Sequence, residues 1–117
     1  MLNPIVKGSG RVRAQVVKFS TPLSFLGDLD PESGKLGGVD VVDKIVFLPF
    51  VKGSTVGPYV LWGAAKRGKA PLAIVVEKPD LMLITACVLA NIPLFQGRVE
   101  EDCIYLDLGV GTYEKCR

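Results

Sequence analysis

A chain of 117 residues, 49% hydrophobic and 22% charged, is large enough for one hydrophobic core, too small for two, and globular in composition. Its net charge of +2, with the bases scattered among acids, argues against a nucleic-acid partner, and no apolar run approaches the roughly 18 residues that span a bilayer. The absence of histidine removes His-based acid–base catalysis, Ser-His triads and most zinc or haem sites from this chain.

Residues 4–7 precede the turn Gly8-Ser9-Gly10 and suit a short paired strand. Residues 11–20, RVRAQVVKFS, alternate polar and apolar in their first half and predict another strand. Residues 21–40 carry four glycines, two prolines and four acids (Asp28, Asp30, Glu32, Asp40), the composition of a long loop. Within it Asp30-Pro31-Glu32-Ser33-Gly34 is a tight-turn signature. Asp28 and Asp30 invite a reading as an acid pair, but turn stabilisation explains them as well.

Residues 44–50, KIVFLPF, read as a buried strand with Pro49 near its end. From Pro58 to Arg67 the end signals of a helix are complete: Pro58 suits the first helical position, Lys66 and Arg67 face the negative end of the dipole, and Gly68 suits the residue beyond the cap. Tyr59 and Trp62 fall on this helix and read as packing residues. Residues 71–77, PLAIVVE, are continuously apolar, as in a strand covered on both faces. Pro79 and Asp80 open a second helix over residues 80–90, and residues 92–95 and 103–108 are short strands. Gly109 and Gly111 end the last strand and leave a charged tail expected to fray. Strand and helix alternating after an all-β start predict a single mixed α/β domain over residues 1–117.

The three cysteines are odd in number and lack CxxC spacing. Cys87 sits in an apolar run as a small core residue, Cys103 falls on a strand and Cys116 on the tail. A metal or cluster site made by this chain alone is therefore not expected. No apolar signal-peptide core stands at the N-terminus, so the expected location is cytoplasmic. Asn and Gln number two each, a scarcity compatible with a thermophilic source. The high apolar fraction has two readings, a surface made for a partner or simply core.

The segment Lys52-Gly53-Ser54-Thr55-Val56-Gly57 joins the end of a strand to the start of a helix. Unpaired N–H groups and the helix dipole favour an anion there, Gly53 and Gly57 permit close backbone approach, and Lys52 adds a full charge. Ser54 or Thr55 can donate hydrogen bonds to a ligand, or act as a general base if dipoles and a cation stabilise the alkoxide. Either can instead be a helix cap, the reading that local physics favours. The pattern GxxxxGK[ST] is absent, so this is not a Walker-type phosphate loop.

A set of motifs in fixed order adds to this reading: Pro22-Leu23-Ser24-Phe25, Gly27, Asp30-Pro31, Gly34, Lys52 to Gly57, Tyr59-Val60, Ala70-Pro71 and Ala90-Asn91-Ile92-Pro93. Spread from about residue 20 to residue 95, they resemble the small-subunit family of the aconitase X superfamily, which in archaea looks like the small subunit of phosphomevalonate dehydratase. The resemblance implies a swivelling β/β/α domain like the aconitase C-terminal domain, a mixed sheet or barrel with two main helices. It implies a hydro-lyase that dehydrates mevalonate 5-phosphate, a phosphorylated hydroxy acid, to trans-anhydromevalonate 5-phosphate in the archaeal mevalonate pathway of isoprenoid synthesis. An aconitase-like large subunit would carry an iron–sulfur cluster, with no cofactor on this chain. Ser54 takes the place of the proton-abstracting serine, with Lys52, Gly53, Thr55 and Ser24 on the substrate. Ser24 and Phe25 either border the site, pack on the large subunit, or serve as turn and core.

Three departures stand out. The family usually has arginine at Lys52, and lysine keeps the charge but loses bidentate recognition of a carboxylate or phosphate. It usually has serine at Pro58, and a longer segment rich in His, Pro and Gly where residues 34–48 run here. A dehydratase of another hydroxy acid, such as a hydroxyproline, and a non-catalytic anion-binding or assembly module of the same fold are the competing readings.

Overall fold

The structure is a computed structural model that describes residues 1–21, 23, 28–51 and 57–116. Its strands in chain order are β1 (Asn3–Val6), β2 (Arg11–Lys18), β3 (Leu29–Asp30), β4 (Lys35–Leu36), β5 (Val39–Asp40), β6 (Ile45–Leu48), β7 (Ala73–Val76), β8 (Leu94–Gln96), β9 (Cys103–Asp107) and β10 (Tyr113–Lys115). Helix α1 (Gly57–Lys66) follows β6, and helix α2 (Leu81–Ala90) follows β7.

The continuous apolar runs become the centre of the main sheet, whose order is β1-β8-β7-β6-β2-β9-β10. β2, β6, β7 and β8 pair parallel, while β1, β9 and β10 are antiparallel to their neighbours. All four residues of β7 are fully buried, as the absence of any polar alternation demands. Val46, Leu48, Ile74 and Val76 face one core with Leu61, Ala64, Leu83, Ala86 and Cys87 of the helices. Ile45, Phe47, Ala73 and Val75 face a second core with Ala14 and Val16 of β2 and Ile104 and Leu106 of β9. The second core also takes Leu2, just before β1, and the partly buried Tyr113 of β10, and the N–H of Leu2 donates to the carbonyl of Gly111 at 2.9 Å, so the sheet curls over on itself while the helices cover its outer face. Each buried Val, Leu or Ile contributes about 1.5–3 kcal/mol.

Both helix ends predicted from the sequence are built as expected. The N–H groups of Gly68 and Lys69 donate to the carbonyls of Ala65 (3.1 Å) and Ala64 (2.8 Å), with Gly68 left-handed at φ 69°. Asp80 caps α2 by accepting from the N–H of Leu83 at 2.7 Å. Asn91 closes α2 in the left-handed conformation, and the N–H of Ile92 donates to the carbonyl of Cys87 at 2.9 Å.

Three expectations are corrected. The long loop at residues 21–40 contains, in its described part, the three-stranded sheet β3-β4-β5, joined by the turn at Asp30. The strand expected at residues 92–95 begins at Leu94, because residues 91–92 are taken up by the cap of α2. The tail is held, not frayed: β10 pairs with β9, and Cys103 and Cys116 form a disulfide. Burial pushes the remaining thiol, Cys87, up to about 12.

In the turn, Asp30 accepts from the N–H of Glu32 (3.0 Å) and the hydroxyl of Ser33 (2.9 Å). Those bonds hold its carboxyl below the usual value, so Asp30 stabilises the turn. Gly34 follows at φ 75°, where a Cβ would meet the side chain of Val42 and, at 2.7 Å, the carbonyl of Lys69.

Candidate active site

β2, β6, β7 and β8 all end on one edge of the sheet, the edge at which open parallel sheets receive ligands. Two connections leave from it. Beyond β6, the carbonyl of Pro49 accepts from the N–H groups of Glu77 and Lys78, each at 3.1 Å, which locks the exit of β6 to that of β7. Val51 then forms a parallel bridge with Leu23, which lies beyond β2. The N–H of Phe19 donates to the carbonyl of Phe47 at 2.9 Å and extends the β2–β6 pairing to the same point. Residue 52 follows Val51, residue 24 follows Leu23, and α1 resumes at Gly57 on this edge.

Lys52, Gly53, Ser54, Thr55 and Ser24, together with Phe25 and Val56, lie outside the described residues. What the structure describes is the frame at both ends of the two segments, and the bridge brings those ends together. The first turn of α1 has no acidic residue, so nothing there offsets the positive end of its dipole.

Beside this frame is an open cleft of about 390 Å³ bordered by Lys18, Ser20, Phe47, Glu77, Arg98 and Glu100. The Arg98 guanidinium lies over the Phe47 ring at 5.9 Å and donates to Glu77 (2.8 Å) and Glu100 (3.1 Å). Lys18 donates to the carboxylate of Asp102 (2.7 Å) and the carbonyl of Glu100 (2.6 Å). The bond from Lys18 holds the Asp102 carboxyl below its usual value. None of these side chains stands out in the sequence. Arg98 and Glu77 are 21 residues apart and meet because β7 and β8 run parallel in register.

Tyr59 and Trp62 are exposed, at 67% and 44%, so among the described residues the packing expected for them is incomplete. Lys66 lies 5.4 Å from the Trp62 ring centre. Among the described residues no group of His, Cys, Asp or Glu can hold a metal ion. Cys103 and Cys116 are tied to each other, and Cys87 is buried with its thiol protonated. These residues do not fit the ligation of an iron–sulfur cluster. No helix of the structure is long and apolar enough to cross a membrane.

Comparison with known proteins agrees with the order of motifs. A family model described as the aconitase X swivel domain matches residues 2–109. A protein of Methanopyrus kandleri named phosphomevalonate dehydratase small subunit is 42% identical over 108 residues, covering 86% of this chain and 79% of that relative. Proteins of the same name from Aeropyrum pernix and Thermococcus gammatolerans are 41% and 39% identical, over 80% and 75% of this chain and 70% and 72% of theirs. The crystal structure of Thermococcus kodakaraensis aconitase X in its holo form superposes with a TM-score of 0.84 at 30% identity, covering 99% of this chain and 98% of that one. A solution NMR structure of a UPF0107 protein gives 0.83 at 29% identity, over 99% and 97% of the two chains. The curled mixed sheet with its two described helices is the swivel-domain fold that the motifs imply. The chain belongs to the aconitase X swivel-domain family.

Proposed function

We propose that this chain is the small subunit of a hydro-lyase that dehydrates mevalonate 5-phosphate to trans-anhydromevalonate 5-phosphate, active only with a larger, aconitase-like subunit. The observation that carries the reading is the likeness, at 39–42% identity over 75–86% of the chain, to relatives named phosphomevalonate dehydratase small subunit. The Leu23–Val51 bridge supports it, because it joins the two described residues that immediately precede Ser24 and Lys52 in the chain.

The reaction removes the proton alpha to the substrate carboxylate and the neighbouring hydroxyl as water. Ser54 takes the proton. A serine does so only where its alkoxide is stabilised, and Lys52 with the backbone N–H groups before α1 supplies that stabilisation. Lys52, Gly53, Thr55 and Ser24 hold the substrate anion. Departure of the hydroxide calls for a Lewis acid, which this reading assigns to an iron–sulfur cluster of the large subunit.

Reconstitution tests this. The chain alone should be inactive with mevalonate 5-phosphate, and mixing it with the large subunit should produce activity that Ser54→Ala lowers about 1,000-fold. A mixture active on a hydroxyproline but not on mevalonate 5-phosphate would change the substrate. A complex that forms but turns over no hydroxy acid would leave an assembly module, the reading that Pro58 and the abbreviated residues 34–48 favour.

A further inference from the structure

Helix α2 has an unusual composition for a helix that faces outward on one side. Its ten residues, LMLITACVLA, include no charge. Its one polar side chain, Thr85, turns its hydroxyl back to the carbonyl of Leu81 at 2.8 Å. Leu83, Ala86, Cys87 and Ala90 are buried against the sheet, yet Leu81, Val88 and Leu89 are 75%, 61% and 51% exposed. A helix apolar on every face is normally covered on every face.

The bare surface continues onto α1. Trp62 and Leu89 line one shallow hollow, and Tyr59 stands one turn before Trp62 on the same outward stripe. α1 and α2 both start where β6 and β7 end, so Tyr59 and Leu81 stand at the rim of the candidate site. Val88 and Leu89 carry the strip away from it.

We infer that this strip (Tyr59, Trp62, Leu81, Val88 and Leu89) is the surface on which the large subunit docks. The inference rests on the reading of the chain as one half of a two-chain dehydratase. Continuity with the site edge selects that partner. A chain that completes the site must approach over the edge where Val51 and Gly57 stand, and the strip begins there.

The test measures binding of the source organism's own large subunit to the free small subunit by calorimetry. The variants are Val88→Asp/Leu89→Asp and, as a control on the β9–β10 turn, Val110→Asp, which replaces a side chain 50% exposed. The strip variant should bind about 100-fold more weakly, the control within about twofold of wild type. Unchanged binding by the strip variant overturns the inference. A free chain that dimerises through the strip, with the two-subunit complex unaffected by the variant, overturns it too. Absence of any binding by the wild type would instead sink the dehydratase reading itself. Should the two aspartates lower the melting temperature of the free chain, Trp62→Ala/Leu89→Ala removes apolar area without adding charge. Weaker binding by that variant supports the docking surface, and unchanged binding overturns it.

Discussion

Leu23 and Val51, 28 positions apart in the chain, are joined by a parallel β-bridge. Their successors in the chain are Ser24 and Lys52, so two segments that the sequence separates leave the sheet together. In the reconstituted enzyme Ser54→Ala should lower kcat about 1,000-fold, the scale of a lost general base. Ser24→Ala should act mainly on KM, raising it about tenfold, as the loss of a substrate hydrogen bond does. Steady-state kinetics on mevalonate 5-phosphate separates the two, and equal effects on kcat would remove the distinction between base and binding residue.

The caps of α2 give a test independent of function. Asp80→Ala removes the acceptor for the Leu83 N–H and should cost about 1 kcal/mol in urea denaturation. Asn91→Gly should cost nothing or stabilise slightly, because glycine accepts the left-handed conformation found at φ 57°.

The Cys103–Cys116 disulfide closes a loop of 13 residues around the β9–β10 pair. By loop-closure entropy it contributes about 3 kcal/mol. Reduction or Cys116→Ser should therefore lower the melting temperature by on the order of 10 °C. Cys87 should stay unlabelled by iodoacetamide at pH 8 until the protein unfolds, since burial raises its thiol to about 12. Rapid labelling of the native protein would contradict the buried position.

Asp30 and Asp102 contribute to stability on the acid side. Hydrogen bonds in the turn lower the first, and Lys18 lowers the second, both from 3.8. A carboxyl lowered on folding stabilises the native state above its unfolded value, and that contribution disappears as pH falls through the folded one. Melting temperature should thus drop below about pH 4, and Asp102→Asn should flatten the drop while leaving the Asp30 part in place. An unaltered acid limb in Asp102→Asn would show that the Lys18 pair is without weight.

The helices were readable because their ends are written in local chemistry: Gly68 beyond one, Asp80 and Asn91 around the other. β6 and β7 were readable because burial on both faces leaves no polar residue in the run. β3, β4 and β5 were not, since two residues cannot display a period of two. β10 and the disulfide depend on a pairing that spacing does not encode. For the site, local physics put a helix cap ahead of a base at Ser54, and only the order of distant motifs favoured the base. Arg98 and Glu77 escaped notice because only the three-dimensional register makes them neighbours. Trp62 read as packing because a sequence does not say which face of a helix is left open.

β10 is an outer strand of the main sheet, and two of its three residues, Glu114 and Lys115, are exposed and charged. Unpaired backbone along a sheet margin invites another strand, and charged side chains there discourage it. The disulfide keeps this charged strand fastened, so the margin stays guarded against strand-to-strand aggregation. For a chain that also bares the apolar strip of α1 and α2, that guard leaves one fewer surface open to self-association.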